Sequence, residues 1–216
     1  MLRVAYKLIL VSTLVPFLGI FCVCAEIPSP LSRPVSVSAM NSSLSDYLLA
    51  ILRSAGVPGG IAIVNDSCEG ASEQFPEFKG NVQDALEGLA AAGHHIAWSR
   101  AGGSLVIHNT TSFPPMLRVM VREFQFSRKE SLAKASSTLL DTPEARDEAK
   151  ALRLIEYGPE LGFAKLQQPS MPPDIATFAN ITVLDALNEI AGGHAVWLYK
   201  ESRCERNIMS LSWPVR

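Results

Sequence analysis

The chain has 216 residues, 48% of them hydrophobic, with 19 basic and 21 acidic residues and a formal net charge of −2. That length supports one or two small domains with real cores. The near-balanced, slightly acidic charge excludes a basic footprint for nucleic acid.

Residues 1–25 read as a secretory signal peptide. Arg3 and Lys7 precede an apolar run from Leu8 to Ala25 that ends Val-Cys-Ala before Glu26, the positive, apolar, small-residue order of such a segment. The run is near the lower limit for a membrane span and Pro16 interrupts it. Contact with a membrane is therefore expected only through this segment, if it stays uncleaved. Cys22 and Cys24 lack the small residue that precedes a lipidated cysteine. Cleavage removes Arg3 and Lys7 and leaves 17 of the 19 basic residues against 21 acidic ones, a net of −4. Pro28, Pro30 and Pro34 mark a leader over 26–34.

Three stretches then share one helical pattern. Leu44, Tyr47, Leu48, Ile51 and Leu52 fall at i, i+3, i+4, i+7 and i+8. Val82, Ala85, Leu86, Leu89 and Ala90 repeat the spacing, and so do Val183, Ala186, Leu187, Ile190 and Ala191. This is one apolar face of an α-helix. Capping residues precede each: Ser42 or Ser43, then Asn81, then Asn180 or Thr182. Each stretch runs into glycine, at Gly56, Gly93 and Gly192-Gly193. Extended stretches flank the helices: VSVSAM and GGIAIVND around the first, FPEFKG and a HHIAWS/SLVIHN hairpin around the second, DIATFA and AVWLYKE/NIMSLSW around the third. The repeated words are thus core positions of a repeated unit, not a repeated catalytic motif. The expected fold is α+β: repeated strand–helix–strand(–strand) units in small mixed sheets, each covered by helices on one face.

From Val35 to Asn109 the residues resemble the secretin and TonB short N-terminal domain. In FKGNVQDALEGLAAAGHHIAWSRAGGSLVIHN, the strand-ending Gly80, the helix core Ala85-Leu86 and Leu89, and the hairpin run Leu105-Val106-Ile107 fill the places of that family's second half. VSVSAMNSSLSDYLLAILRSAGVPGGIAIV is similar to its first half. The resemblance implies a periplasmic setting and binding to other proteins, and it carries no catalytic signature. A strand plus helical connector over 113–173 and a third β-α-β-β half-unit over 174–216 follow the 35–112 module. The expectation is a free-standing exported interaction module whose partner is an envelope or secreted protein.

Within the connector, MLRVMVREFQF alternates with Leu117, Val119 and Val121 on one parity and Phe124 and Phe126 on the other, so a bulge near Arg122-Glu123 is expected. Glu130–Leu140 reads as a short helix. A second helix follows, with Thr142 at its cap and Pro143 at its first position. QQPSMPP at Gln167–Pro173 marks a boundary.

Few residues suggest chemistry. His94, His95, His108 and His194 sit at strand ends. They are the basis of the alternative reading, a small secreted hydrolase or metal-dependent enzyme. Metal sites need converging ligands, adjacent strand residues point to opposite faces, and no glycine-flanked nucleophilic serine or phosphate loop is present. No catalytic, cofactor or metal residue is therefore assigned. Trp98, Trp197 and Tyr199 occupy matching strand positions and are either sheet filling or a binding face. Cys68 and Cys204 are the cysteines left after export. They are disulfide candidates in an oxidising compartment, the alternative being two free thiols. Asn41, Asn65, Asn109 and Asn180 open Asn-x-Ser/Thr sequons, read as turn and cap residues in a bacterial protein and as glycan acceptors in a eukaryotic one.

Overall fold

The structure, a computed structural model, describes residues 29–65, 72–101, 103–156, 174–203 and 207–213. The signal-like segment, the start of the leader, the QQPSMPP boundary and both Cys68 and Cys204 lie outside the described residues. Among the described residues, no helix is long and apolar enough to cross a membrane.

The fold is α+β, with helices packed on sheets. In chain order come β1 (Pro34–Val37), β2 (Met40–Ser42), α1 (Leu44–Ala55), β3 (Gly59–Asn65), β4 (Glu73–Phe75), β5 (Phe78–Asn81), α2 (Val82–Ala91), β6 (Ile96–Ala101) and β7 (Ser104–Asn109). A 3-10 turn at Pro115–Arg118 leads to β8 (Met120–Ser127), α3 (Leu132–Leu140), α4 (Pro143–Ala151) and β9 (Ile155–Glu156). The chain finishes with β10 (Ile175–Thr182), α5 (Val183–Ala191), β11 (Val196–Ser202) and β12 (Ile208–Ser212).

The helix ends follow from local chemistry. Ser43, Asn81 and Thr182 each accept a hydrogen bond from the backbone N–H of the first-turn aspartate, Asp46, Asp84 and Asp185, which satisfies an orphan donor and places a negative charge at the positive end of the helix. Gly56 and Gly192 close α1 and α5 at φ 60° and 58°, a left-handed conformation that glycine adopts without a steric cost.

The connector holds the other half of a second unit. β8 pairs antiparallel with β10, from Ser127 opposite Ile175 to Met120 opposite Thr182, as β1 pairs with β5. Its helix α3 repeats the face of α1: Ser131 caps it, and Leu132, Ala135, Ser136, Leu139 and Leu140 take the five core positions. Helix α4 has no counterpart in the first unit. The parity change in β8 is present: Val121, Phe124 and Phe126 are buried while Arg122 and Glu123 face out. It is made without an extra residue. The offset to β10 is the same on either side, with Ala179 opposite Glu123 and Ile181 opposite Val121, while the pairing skips Asn180, which takes φ 52°, a conformation asparagine tolerates better than most residues.

The two units share one six-stranded sheet of order β6-β7-β3-β11-β12-β9. The joint is a parallel pairing of β3 with β11, from Val196 opposite Gly59 to Ser202 opposite Asn65. Ile61, Ile63, Leu105, Ile107 and Leu198 face one core with α1 and α2. Ala62, Val106, Trp197, Tyr199 and Met209 face the other with α3 and α5. β3 is accordingly buried at six consecutive positions, as a central strand covered on both faces must be. The β6-β7-β3 half maps onto β11-β12-β9 with order kept, strand direction reversed and helix face exchanged. That relation is a half-turn about the axis crossing the strands, combined with a shift of three strands.

Candidate functional site

The aromatic candidates separate into two groups. Trp197 and Tyr199 are 0% and 1% exposed, so they are interior residues at the joint between units and not a binding face. β3 fills the outer edge of β11, α5 covers the face on which both side chains stand, and Gly60 leaves the space over which the Trp197 ring lies. The indole Nε1 donates to Asn188 Oδ1 at 3.0 Å. The Tyr199 hydroxyl donates to Glu201 Oε2 at 3.0 Å, and Arg203 Nε donates to the other oxygen at 2.6 Å. Burial, with the Glu201 carboxylate beside it, pushes the Tyr199 phenol well above its ordinary 10.0. Trp98 is half-buried, packed against the first core from β6.

The histidines lie in separate places. His94 approaches Glu73 Oε2 at 3.7 Å and the Phe75 ring at 5.6 Å. His95 is exposed, and its carbonyl takes the Thr110 N–H at 2.9 Å. His108 Nδ1 lies 2.7 Å from the Asn109 carbonyl, and its ring meets Phe113 edge-on. His194 reaches an open groove of about 1300 Å³ between the C-terminal ends of α1 and α5. Phe126, Phe178 and Trp213 line the apolar part of that groove. Among the described residues, no three His, Cys, Asp or Glu side chains cluster as metal ligands. Of the sequons, Asn109 uses its Oδ1 to accept the Val64 N–H at 2.6 Å, a cap on the central sheet, whereas Asn41 and Asn180 are exposed.

The remaining candidate is the edge of the large sheet. Thr110 N donates to His95 O, and the antiparallel register places Ala97, Ser99 and Ala101 in the same hydrogen-bonded phase toward β7. Trp98 and Arg100 therefore turn their backbone N–H and C=O outward. The Leu105 N–H bonds to Pro58 O on the β3 side, which fixes the same phase from the other strand. No backbone partner for Trp98 or Arg100 on that side is present among the described residues. At the opposite edge β9, the described residues are Ile155 and Glu156, with Ile155 exposed. Comparison with protein-family models, curated proteins and solved structures finds no match to this chain.

Sequence reasoning located β6 and its Trp98 but not the free edge. An edge is a property of strand order, which requires knowing that β11 completes β3.

Proposed function

We propose that this protein is an exported, non-enzymatic interaction module of the bacterial envelope, periplasmic or secreted. In this reading it is built like the secretin and TonB short N-terminal domains and binds a protein partner through a sheet edge. The observation that carries the reading is the outer edge of β6, where Trp98 and Arg100 leave backbone donors and acceptors unpaired among the described residues beside a half-buried indole. Unpaired edge groups are a ready template for strand addition, and main-chain pairing plus a side-chain pocket is a recurrent mode of peptide recognition. No cofactor and no nucleic acid enter this reading.

The test places a photo-crosslinking residue at Ser99, which is exposed at the edge, in the mature protein within its native envelope. The expected result is one discrete adduct with an envelope protein, absent when the crosslinker is moved to exposed Asp147 on α4. A smear of products identical at both positions would refute the reading.

A further inference from the structure

We infer that the outer edge of β6 accepts an extended strand of a partner protein running parallel to β6, with a small residue beside Trp98 and an acidic one beside Arg100. The inference rests on the interaction reading above and deepens it.

The argument comes from the half-turn that relates the two units. That operation carries β6 onto β11, so Ile96, Trp98 and Arg100 correspond to Trp197, Tyr199 and Glu201. In β11 these positions face β3: Gly59 N bonds to Ala195 O and Arg203 N to Asn65 O, which sets the odd-numbered residues of β11 toward that strand. In β6 the Ile96 N–H turns back to His94 O at 2.8 Å, and the outward groups of Trp98 and Arg100 have no backbone partner among the described residues. Among the described residues one edge of this kind is thus filled and one is open from Trp98 onward, and the filled one shows what fits. Its occupant β3 runs parallel and sets Gly60, Ala62 and Val64 beside Trp197, Tyr199 and Glu201.

The side chains of β6 modify that template. Ile96 is smaller than Trp197, so the residue beside it need not be glycine. Trp98 is half-buried and packed against the first core, and the matching Tyr199 has Ala62 beside it, so a small neighbour suits it. Arg100 is exposed, with one guanidinium nitrogen on Ser29 Oγ, where the matching Glu201 is buried and paired with Arg203. A cation at the rim of an edge favours an acidic residue on the incoming strand. On the opposite face Ser99 is exposed, so the alternate residues of the partner meet water, and β-branched polar residues suit them. A second copy docking as β3 docks on β11 would present β9, the counterpart of β3, of which Ile155–Glu156 are the described residues; self-association is therefore one of the outcomes of the test.

The test uses the acetylated, amidated heptapeptide Thr-Val-Thr-Ala-Thr-Glu-Thr and the full mature chain. Saturating peptide is expected to slow hydrogen exchange at the Trp98 and Arg100 amides and to leave Ser99 and Ala101 unchanged. A spin label at the peptide's N-terminus should broaden Ile96 more than Ala101, as parallel addition requires. Arg100→Pro removes an outward donor without touching the Ser99 and Ala101 bonds to β7, and it should abolish binding. Arg100→Glu keeps the backbone and should exchange the preference for a peptide with lysine in place of glutamate. Unprotected amides at Trp98 and Arg100, or undiminished binding to both variants, would overturn the inference. So would self-association lost in these variants, which would assign the edge to a second copy. An envelope adduct at Ser99 that survives both variants would leave the interaction reading standing and remove this one, whereas absence of any adduct would remove the reading and leave the peptide to decide the edge.

Discussion

A methyl group on Gly60 has nowhere to go. A Cβ built there would lie 1.9 Å from Trp197 Cζ2 and 2.0 Å from Cε2, well inside van der Waals contact. The indole cannot swing away, because it is 0% exposed and its Nε1 is held by Asn188. The clash therefore has to be met by moving β3 against β11, which joins the two units. Overpacking a tight interior costs ~1–3 kcal/mol. For a chain of this size ~2 kcal/mol corresponds to a fall in Tm of ~4–8 °C. Thermal and urea melts of Gly60→Ala measure this directly, and a double-mutant cycle isolates its cause. Trp197→Phe removes the part of the ring that occupies the methyl's place, so Gly60→Ala should cost ~1–2 kcal/mol less in that background than in the wild type. The loss of the Asn188 bond is common to both Phe variants and cancels. Equal costs in the two backgrounds would refute the claim that the Trp197 ring sets glycine at position 60.

Leu86→Asp and Leu187→Asp each put an unpaired charge into a fully buried site, one in each core, at several kcal/mol. Because both cores share one sheet, either change should lower a single melting transition of the whole chain; an unaffected second transition would show that the units fold separately. The Tyr199 phenol ionises more readily in the unfolded chain than in the folded one. Its contribution to stability is intact below pH 10 and declines as the pH rises beyond that value, so Tyr199→Phe should show a shallower loss of stability between pH 10 and 11.5, and identical slopes would contradict the assigned burial effect. Asn65 and Ser202 are register partners and Arg203 N bonds to Asn65 O at 2.9 Å, so β3 and β11 end side by side, three residues before Cys68 and two before Cys204 in the sequence. We propose that the two are bonded, closing a loop of about 136 residues worth on the order of 5 kcal/mol in the chain-entropy account. Thiol counting on denatured, unreduced mature protein should find none, and two reactive thiols per chain would exclude the bridge.

What the sequence revealed and what it hid divide along physical lines. The helices α1, α2 and α5 were legible because large aliphatic residues mark their buried faces and Ser43, Asn81, Thr182, Gly56 and Gly192 punctuate their ends. The same face in α3 was obscured, since Ala135 and Ser136 stand where α1 has Tyr47 and Leu48. Ser136 is tolerated in the core because its hydroxyl donates to Leu132 O and accepts the Trp213 indole N–H at 2.7 Å, contacts no local pattern announces. The kink in β8 was anticipated, but not its device, because the αL residue sits on the partner strand at Asn180. The aromatic pair Trp197 and Tyr199 carried no sign of which side of β11 would be covered. That depends on β3, well over a hundred residues earlier in the chain. The free edge at β6 was hidden for the same reason.

The joint between β3 and β11 also imposes a delay during biosynthesis. β3 ends at Asn65 and β11 begins at Val196, so at ~5–20 residues per second the first unit waits on the order of ten seconds for the strand that completes it. Throughout that interval Gly59–Asn65, a run of small and β-branched residues with no charge, presents a naked parallel edge of the kind that seeds misassembly. A nascent chain that folded its first half at once would carry this edge into a crowded compartment. Holding the chain unfolded until Ser202 has emerged avoids the exposure, because β3 is then covered by β11 as soon as it forms.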